Sequence, residues 1–71
     1  MNTTIRSRDG ATFHFTAPVD GGYVWVSIND GNRKQICRGG YTMGETLTAY
    51  SAAGLKKTAR RWYRAHRRLT H

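Results

Sequence analysis

The 71-residue chain contains few of the residues that cross-link or anchor small proteins. It has one cysteine, Cys37, and one proline, Pro18. A single cysteine excludes an internal disulfide framework and indicates a reducing compartment. No apolar run approaches the ~20 residues of a membrane-spanning helix, and the first four residues lack signal-peptide character. We therefore expect one small cytoplasmic domain, residues 1–71, with two Trp, four Tyr and two Phe available for its core.

Acidic residues are also scarce, and they are unevenly placed. Four Asp and Glu oppose twelve Lys and Arg, which gives a formal net charge of +8. No acidic residue follows Glu45, whereas seven of the twelve basic residues lie between Lys56 and Arg68. A surface with so unbalanced a charge repels itself and attracts polyanions. Nucleic acid, an acidic protein and an anionic membrane are the candidate partners.

Residues 3–38 predict an antiparallel sheet of three or four strands arranged as two hairpins. Asp-Gly pairs at 9–10 and 30–31 are the turn signals. For the first hairpin we expect a three-residue loop, 9–11, which pairs Ile5 with Phe15 and keeps the apolar side chains on one face. The other face of this hairpin carries three basic residues: Arg6, Arg8 and His14.

The strongest strand signal, residues 23–28, is apolar on both faces. Three of its side chains share one face: Val24, Val26 and Ile28. Such a strand is typically central in its sheet, or keeps one face for a partner. In the returning strand we expect Ile36 opposite Val26, and Cys37 on the same face as Trp25.

Two roles are open for the aromatic residues of the second face, Tyr23 and Trp25. They could pack beneath the helix against Trp62, which we favour because the domain has so few apolar residues. They could instead lie exposed beside Arg33 and stack on bases or sugars.

Residues 43–69 predict a helical segment that is either long or bent. Thr42 and Glu45 match a capping box, so we expect the helix to begin at Met43. Gly54 either ends a first helix or lies inside a bent one. Together with the sheet, this segment predicts an α+β fold. The expected core is Val24, Val26, Ile28, Ile36, Leu47, Leu55, Trp62 and Leu69.

From Leu55 onward the helix is strongly two-sided. One arc carries the apolar residues and a histidine that we expect to pack among them: Leu55, Ala59, Trp62, Tyr63, His66 and Leu69. The opposite arc, which we call the basic stripe, consists of Lys56, Lys57, Arg60, Arg61, Arg64, Arg67 and Arg68. An ordinary solvated helix face would carry Glu partners four residues away, and none is present.

The basic stripe is the strongest functional signal in the sequence. Counter-ion release drives binding to phosphates, and the fork of Arg, which outnumbers Lys five to two here, fits phosphate oxygens. We expect a nucleic-acid-binding protein, with DNA favoured over RNA, that uses the stripe and receives a contribution from the sheet. No catalytic constellation, zinc-ligand spacing or phosphate loop is present, so we expect neither an enzyme nor a cofactor.

The middle of the chain, about residues 22–53, carries an ordered set of motifs. Tyr-Val-Trp-Val-Ser-Ile at 23–28, a Gly turn and a basic strand precede Gly-Tyr-Thr-Met-Gly-Glu at 40–45 and Leu-Thr-Ala-Tyr-Ser-Ala-Ala at 47–53. This order resembles the AP2-type DNA-binding domain of plant transcription factors and of phage and transposon integrases. The resemblance implies sheet positions that touch DNA at Trp25, Arg33 and Arg38. The N-terminal hairpin and most of the positive charge lie outside it.

A second hypothesis belongs to another functional class. A small phage or mobile-element protein could use the same stripe to bind and inhibit or modulate a host protein or ribonucleoprotein complex. The stripe would then meet an acidic protein surface or occupy a nucleic-acid channel. A membrane surface ranks last, because Leu55 and Trp62 are needed for the core.

Overall fold

The computed structural model describes residues 1–32, 34–39, 41–42 and 45–66, and the side chains of residues 1–32, 34–36 and 47–66. Within these ranges the elements are β1 (Asn2–Arg6), β2 (Thr12–Thr16), β3 (Gly22–Tyr23), β4 (Trp25–Asn29), β5 (Gln35–Gly39), β6 (Tyr41–Thr42), β7 (Glu45–Thr46), β8 (Thr48–Ala49) and α1 (Ala52–His66).

The main sheet has four antiparallel strands in the order β1-β2-β4-β5. Its two outer pairs, β1-β2 and β4-β5, are the two predicted hairpins. Two short ladders accompany it, β3 with β8 and β6 with β7. Helix α1 packs across one face of the main sheet. The predicted α+β fold is confirmed.

The β1-β2 hairpin differs from its predicted register by two residues. Ile5 pairs with Phe13 and not with Phe15. Because strand side chains alternate between faces, an even shift leaves every residue on its predicted face. Phe13 and Phe15 are accordingly buried, and Arg6 and Arg8 are exposed.

The shift originates in the loop, which comprises residues 8–10 and begins one residue earlier than predicted. The Ser7 amide donates to the Ala11 carbonyl at 2.9 Å, and the Gly10 amide donates to the Ser7 carbonyl at 3.2 Å. Gly10 therefore follows a tight turn and ends the loop with a φ of 90°. Hairpins with this loop length require a left-handed residue at that last position, which favours glycine. Asp9 supports the turn by accepting hydrogen bonds from the Ser7 hydroxyl and the Ala11 amide.

The predicted register of the β4-β5 hairpin is wrong by three residues. Val26 pairs with Gly39, and the register shifts between Ile28 and Asn29, which marks a β-bulge. Before the bulge the shift is odd, so residues 37–39 change faces, whereas beyond it Gln35 pairs with Asn29 and keeps its predicted face. Ile36 is the extra residue between them and is 43% exposed instead of buried opposite Val26. Cys37, expected on the face of Trp25, takes the register position opposite Ile28.

The core lies between α1 and the covered face of the main sheet. Its buried apolar residues are Ala11, Phe13, Phe15, Ala17, Val24, Val26, Ile28, Leu47, Ala49, Leu55, Ala59 and Trp62. Six of the eight predicted core residues are among them, while Ile36 is exposed and Leu69 lies outside the described residues. The Trp62 ring meets Phe13 and Phe15 edge-on, at centroid distances of 6.1 and 5.7 Å. Such aromatic pairs contribute beyond the area they bury.

The predicted capping box at 42–45 does not begin the helix. Thr42 and Glu45 are instead partners in the β6-β7 ladder. Residues 47–49 then follow a strand pattern, with Leu47 and Ala49 buried and Thr48 exposed. Pairing of β8 with β3, which lies far away in the sequence, overrides the local capping signal.

Ser51 is the residue that caps α1. Its hydroxyl accepts a hydrogen bond from the Gly54 amide at 2.9 Å, and its carbonyl accepts one from the Leu55 amide at 2.8 Å. Serine is among the favoured residues at this position because it satisfies a free amide of the first turn. Gly54 therefore lies in the first turn of a single helix, so neither a helix end nor a bend at Gly54 is found.

Candidate nucleic-acid interface

The basic stripe lies on the outer side of α1, away from the sheet. Its five described members are all exposed: Lys56, Lys57, Arg60, Arg61 and Arg64. At about 100° and 1.5 Å per residue they fill an arc of about 140° and extend about 12 Å along the axis. Arg67 and Arg68, the other two predicted members, lie outside the described residues.

Contacts on the inner side of α1 fix the direction in which the stripe faces. The Trp62 ring is buried against the sheet, and the Tyr63 ring packs edge-on against Phe13 at a centroid distance of 4.9 Å. The Thr58 hydroxyl donates to the Thr48 carbonyl at 3.3 Å. Rotation of the helix about its axis would break these contacts, so the stripe is held towards solvent.

His66 packs in the apolar arc, as predicted. Its ring lies nearly parallel to that of Trp62, with 4.4 Å between centroids and 19° between planes. Its Nδ1–H donates to the Trp62 carbonyl at 3.0 Å. The side chain is therefore buried with a satisfied ring nitrogen and contributes to the helix end and not to the stripe.

No carboxylate accompanies the stripe along the helix. The sequence of α1 contains neither Asp nor Glu. The Asp30 carboxylate stabilises its own turn, where it accepts hydrogen bonds from the backbone amides of Asn32 and Lys34, each at 2.8 Å. Like charges three and four residues apart repel on a helix surface. A polyanion bound along the stripe would relieve this repulsion.

The uncovered face of the main sheet forms a second surface, which we call the outer sheet face. Strand alternation and register assign to it Asn2, Thr4, Arg6, Thr12, His14, Thr16, Trp25, Ser27, Asn29 and Gln35. Arg38 occupies the register position opposite Ser27. All four strands of the main sheet lack Asp and Glu. The described side chains of this face are exposed or half-buried, and Trp25 is the largest apolar residue among them. Ile36, the extra residue of the β5 bulge, is also exposed, beside Gln35.

The predicted packing of Tyr23 and Trp25 beneath the helix is wrong. Their side chains are 56% and 55% exposed, because α1 covers the opposite face, which Val24 and Val26 occupy. Trp25 instead borders a shallow surface depression of about 490 Å³. The other residues that line this depression are His14, Thr16, Val26, Ser27 and Gln35.

The structure divides the predicted site residues between two surfaces. Arg6 and Trp25 belong to the outer sheet face, Arg38 takes a position in its register, and Arg8 is exposed in the β1-β2 turn. Arg33 lies outside the described residues. The sequence did not predict the neighbours of Trp25 as site residues, although strand alternation placed His14 on the correct face.

The basic stripe and the outer sheet face lie on opposite sides of the molecule. The buried core separates them, because the sheet covers the inner side of α1 and α1 covers the inner side of the sheet. The Cα trace measures 32 × 22 × 18 Å. Even its shortest dimension exceeds the Debye length of about 8 Å at physiological salt, so the charges of the two surfaces act separately.

Two further properties concern the part of the chain that the structure describes. There, no group of three or more His, Cys, Asp or Glu side chains is arranged to hold a metal ion. In the same part, no helix has the length and apolar character needed to cross a membrane.

No protein-family model, curated protein or solved structure significantly matches this chain. The resemblance of residues 22–53 to AP2-type domains therefore stays a prediction.

Proposed function

We propose that this protein is a nucleic-acid-binding protein, and not an enzyme, that contacts the phosphates of DNA through the basic stripe. One observation carries the proposal: five exposed Lys and Arg residues share one side of a helix that contains no acidic residue. Duplex DNA presents about one charge per 1.7 Å of its axis, so a stripe about 12 Å long faces several phosphates at once. Each neutralised phosphate releases counter-ions and adds to the affinity.

The composition of the stripe supports phosphate as its ligand. Arg60, Arg61 and Arg64 present planar forks that can donate two parallel hydrogen bonds to phosphate oxygens. Packing of α1 against the sheet fixes the positions of their backbones along one side of the helix. Such contacts position a protein on nucleic acid but do not read its sequence. We therefore expect affinity for DNA with little dependence on sequence from this surface.

Salt dependence of binding to duplex DNA tests the proposal. The logarithm of the binding constant should fall linearly with the logarithm of salt concentration, with a slope of roughly −0.9 for each phosphate contacted. Four to six contacts predict a loss of roughly 10²- to 10³-fold between about 50 and 200 mM salt. As a competitor, RNA of equal length should displace the protein from labelled duplex DNA no better than unlabelled DNA does.

A matched pair of charge reversals tests the location. Arg60→Glu lies within the stripe, whereas Lys34→Glu lies in the β4-β5 turn and is also exposed. Both lower the net charge equally, yet only Arg60→Glu should weaken binding about tenfold or more and flatten the salt slope by about one. Equal losses of DNA affinity in the two variants, or a binding constant that does not change with salt concentration, would contradict the proposal. Retention of one host protein from nuclease-treated lysate, without affinity for nucleic acid, would favour the inhibitor hypothesis instead.

A further inference from the structure

The outer sheet face has the chemistry of a binding surface in its own right. Its four strands carry no carboxylate, while Arg6 adds positive charge on the exposed side and His14 adds ring nitrogens. The remainder is almost entirely hydroxyl and amide groups from Thr, Ser, Asn and Gln. These side chains, together with Arg, are the types that hydrogen-bond to base edges and phosphates.

Trp25 makes this surface suited to an unpaired base. Trp25 is 55% exposed among side chains that are mostly polar. Covering its large apolar indole with a ligand would bury apolar surface and so favour binding. The depression beside it has a volume of about 490 Å³ and is open to solvent. A base stacked on the indole would occupy it, with hydroxyl and amide groups of Thr16, Ser27 and Gln35 along its border. In a duplex the faces of the bases are hidden by stacking, so the matching ligand is a single strand.

From the opposed positions of the two surfaces, we propose that one molecule binds two nucleic-acid segments at once, a duplex on the basic stripe and an unpaired strand on the outer sheet face. This inference rests on the proposed function of the stripe. The core lies between the two surfaces, so one segment cannot occupy both without bending around the molecule. Two segments can occupy them without contact, because the thickness of the domain separates their charges.

Energy transfer between two labelled probes tests the inference. The probes are a donor-labelled duplex and an acceptor-labelled oligothymidine, mixed with the full chain at low salt. Equimolar protein should bring the two probes together and produce energy transfer. A large excess of protein should abolish the transfer, because each probe then binds its own protein molecule.

Variants of each surface separate the two sites. Trp25→Ala should weaken oligothymidine binding roughly tenfold to a hundredfold and remove energy transfer, while duplex binding changes by less than about twofold. The double variant Arg60→Glu/Arg64→Glu should lose duplex binding and energy transfer but keep the fluorescence quenching of Trp25 by oligothymidine. Lys34→Glu serves as the control and should leave energy transfer intact.

An equimolar mixture of the two surface variants distinguishes a two-sided molecule from a dimer. If each molecule carries both sites, the mixture produces no energy transfer. Restored transfer would overturn the inference, because it requires association of two protein molecules. Mutually exclusive binding of the two probes to the unmodified chain would also overturn it while leaving the proposed function intact. Failure to bind the duplex probe would remove the proposed function as well, whereas failure to bind oligothymidine alone would overturn only the inference.

Discussion

Among single residues, Gly21 illustrates how closely the chain is fitted at the start of β3. Its φ is 88°, and a Cβ there would lie 2.7 Å from Cδ1 and 2.9 Å from Cα of Tyr50. The neighbouring Gly22 has a φ of 124°, but a Cβ on it would meet nothing within 4 Å. The two positions therefore share an unfavourable backbone conformation, and only Gly21 adds a clash.

Alanine substitutions at these two positions should differ in their cost. Gly22→Ala should lower the free energy of unfolding by about 1–2 kcal/mol through backbone strain alone. Gly21→Ala should cost more, by about a further 1–3 kcal/mol, because the added Cβ would displace the backbone at Tyr50. Urea unfolding followed by circular dichroism measures both values. Equal costs would show that the contact with Tyr50 is unimportant.

The cap of α1 gives a second prediction for a single residue. Ser51→Ala should lower the free energy of unfolding by about 1 kcal/mol, because the Gly54 amide loses its acceptor. Ser51→Asn should retain most of the stability, since asparagine also caps well. Thr42→Ala removes the cap that the sequence alone suggests and should leave the helix content unchanged. A larger loss of helix content in Thr42→Ala than in Ser51→Ala would contradict this assignment.

At the scale of elements, the two tryptophans show that the sheet has one structural face and one free face. Trp62 is 2% exposed and joins α1 to β2, whereas Trp25 is 55% exposed on the uncovered side of β4. The same residue type therefore serves packing at one position and remains available for a ligand at the other. The contrast predicts that alanine in place of each tryptophan lowers the free energy of unfolding by very different amounts.

Trp62→Ala should cost about 3–5 kcal/mol, which approaches the whole stability expected of a small domain. Trp25→Ala should change the free energy of unfolding by less than about 1 kcal/mol, because most of its ring is in water. Thermal unfolding monitored at 222 nm compares the two variants with the unmodified chain. A destabilised Trp25→Ala protein would indicate that this side chain supports the fold and is not a free binding group.

Elements also show how far the sequence could predict the fold. The two-sided pattern of α1 placed Trp62 and His66 correctly, because burial of one helix face leaves a clear period in the sequence. Alternation likewise placed Phe13 and Phe15 on one apolar face despite an incorrect loop, although neither was among the predicted core residues. Ile36 was misplaced because a β-bulge depends on cross-strand geometry that no local signal records.

The candidate site was predictable in its parts and not in its arrangement. The basic stripe follows directly from helical spacing, since its five described members all lie within α1. The exposure of Trp25 depends on which face of the sheet α1 covers. Residues 23–28 carry large apolar side chains on both faces, with Tyr23 and Trp25 on one and Val24, Val26 and Ile28 on the other, so their alternation allowed either choice. Only the packing of distant elements resolves it.

At the scale of the whole molecule, the excess of positive charge should couple stability to anionic ligands. A ligand that binds only the folded chain stabilises it by about 2.7 kcal/mol at a concentration of 100 times its Kd. For a domain of this size that corresponds to a rise in Tm of roughly 10–20 °C. Duplex DNA should produce this rise at low salt and little of it at high salt, whereas an uncharged dextran should produce none. A Tm indifferent to DNA at low salt would contradict binding to the folded state.

The single covered face of the sheet also determines how the gene can vary. Along β2 and β4, substitutions that preserve folding should be tolerated at every second codon. Along α1, the tolerant codons should recur with a period of about 3.6 residues. Codons that tolerate change for folding are those that supply the outer sheet face and the basic stripe. One saturation library, selected first for soluble expression and then for ligand retention, should therefore yield two complementary maps with little overlap.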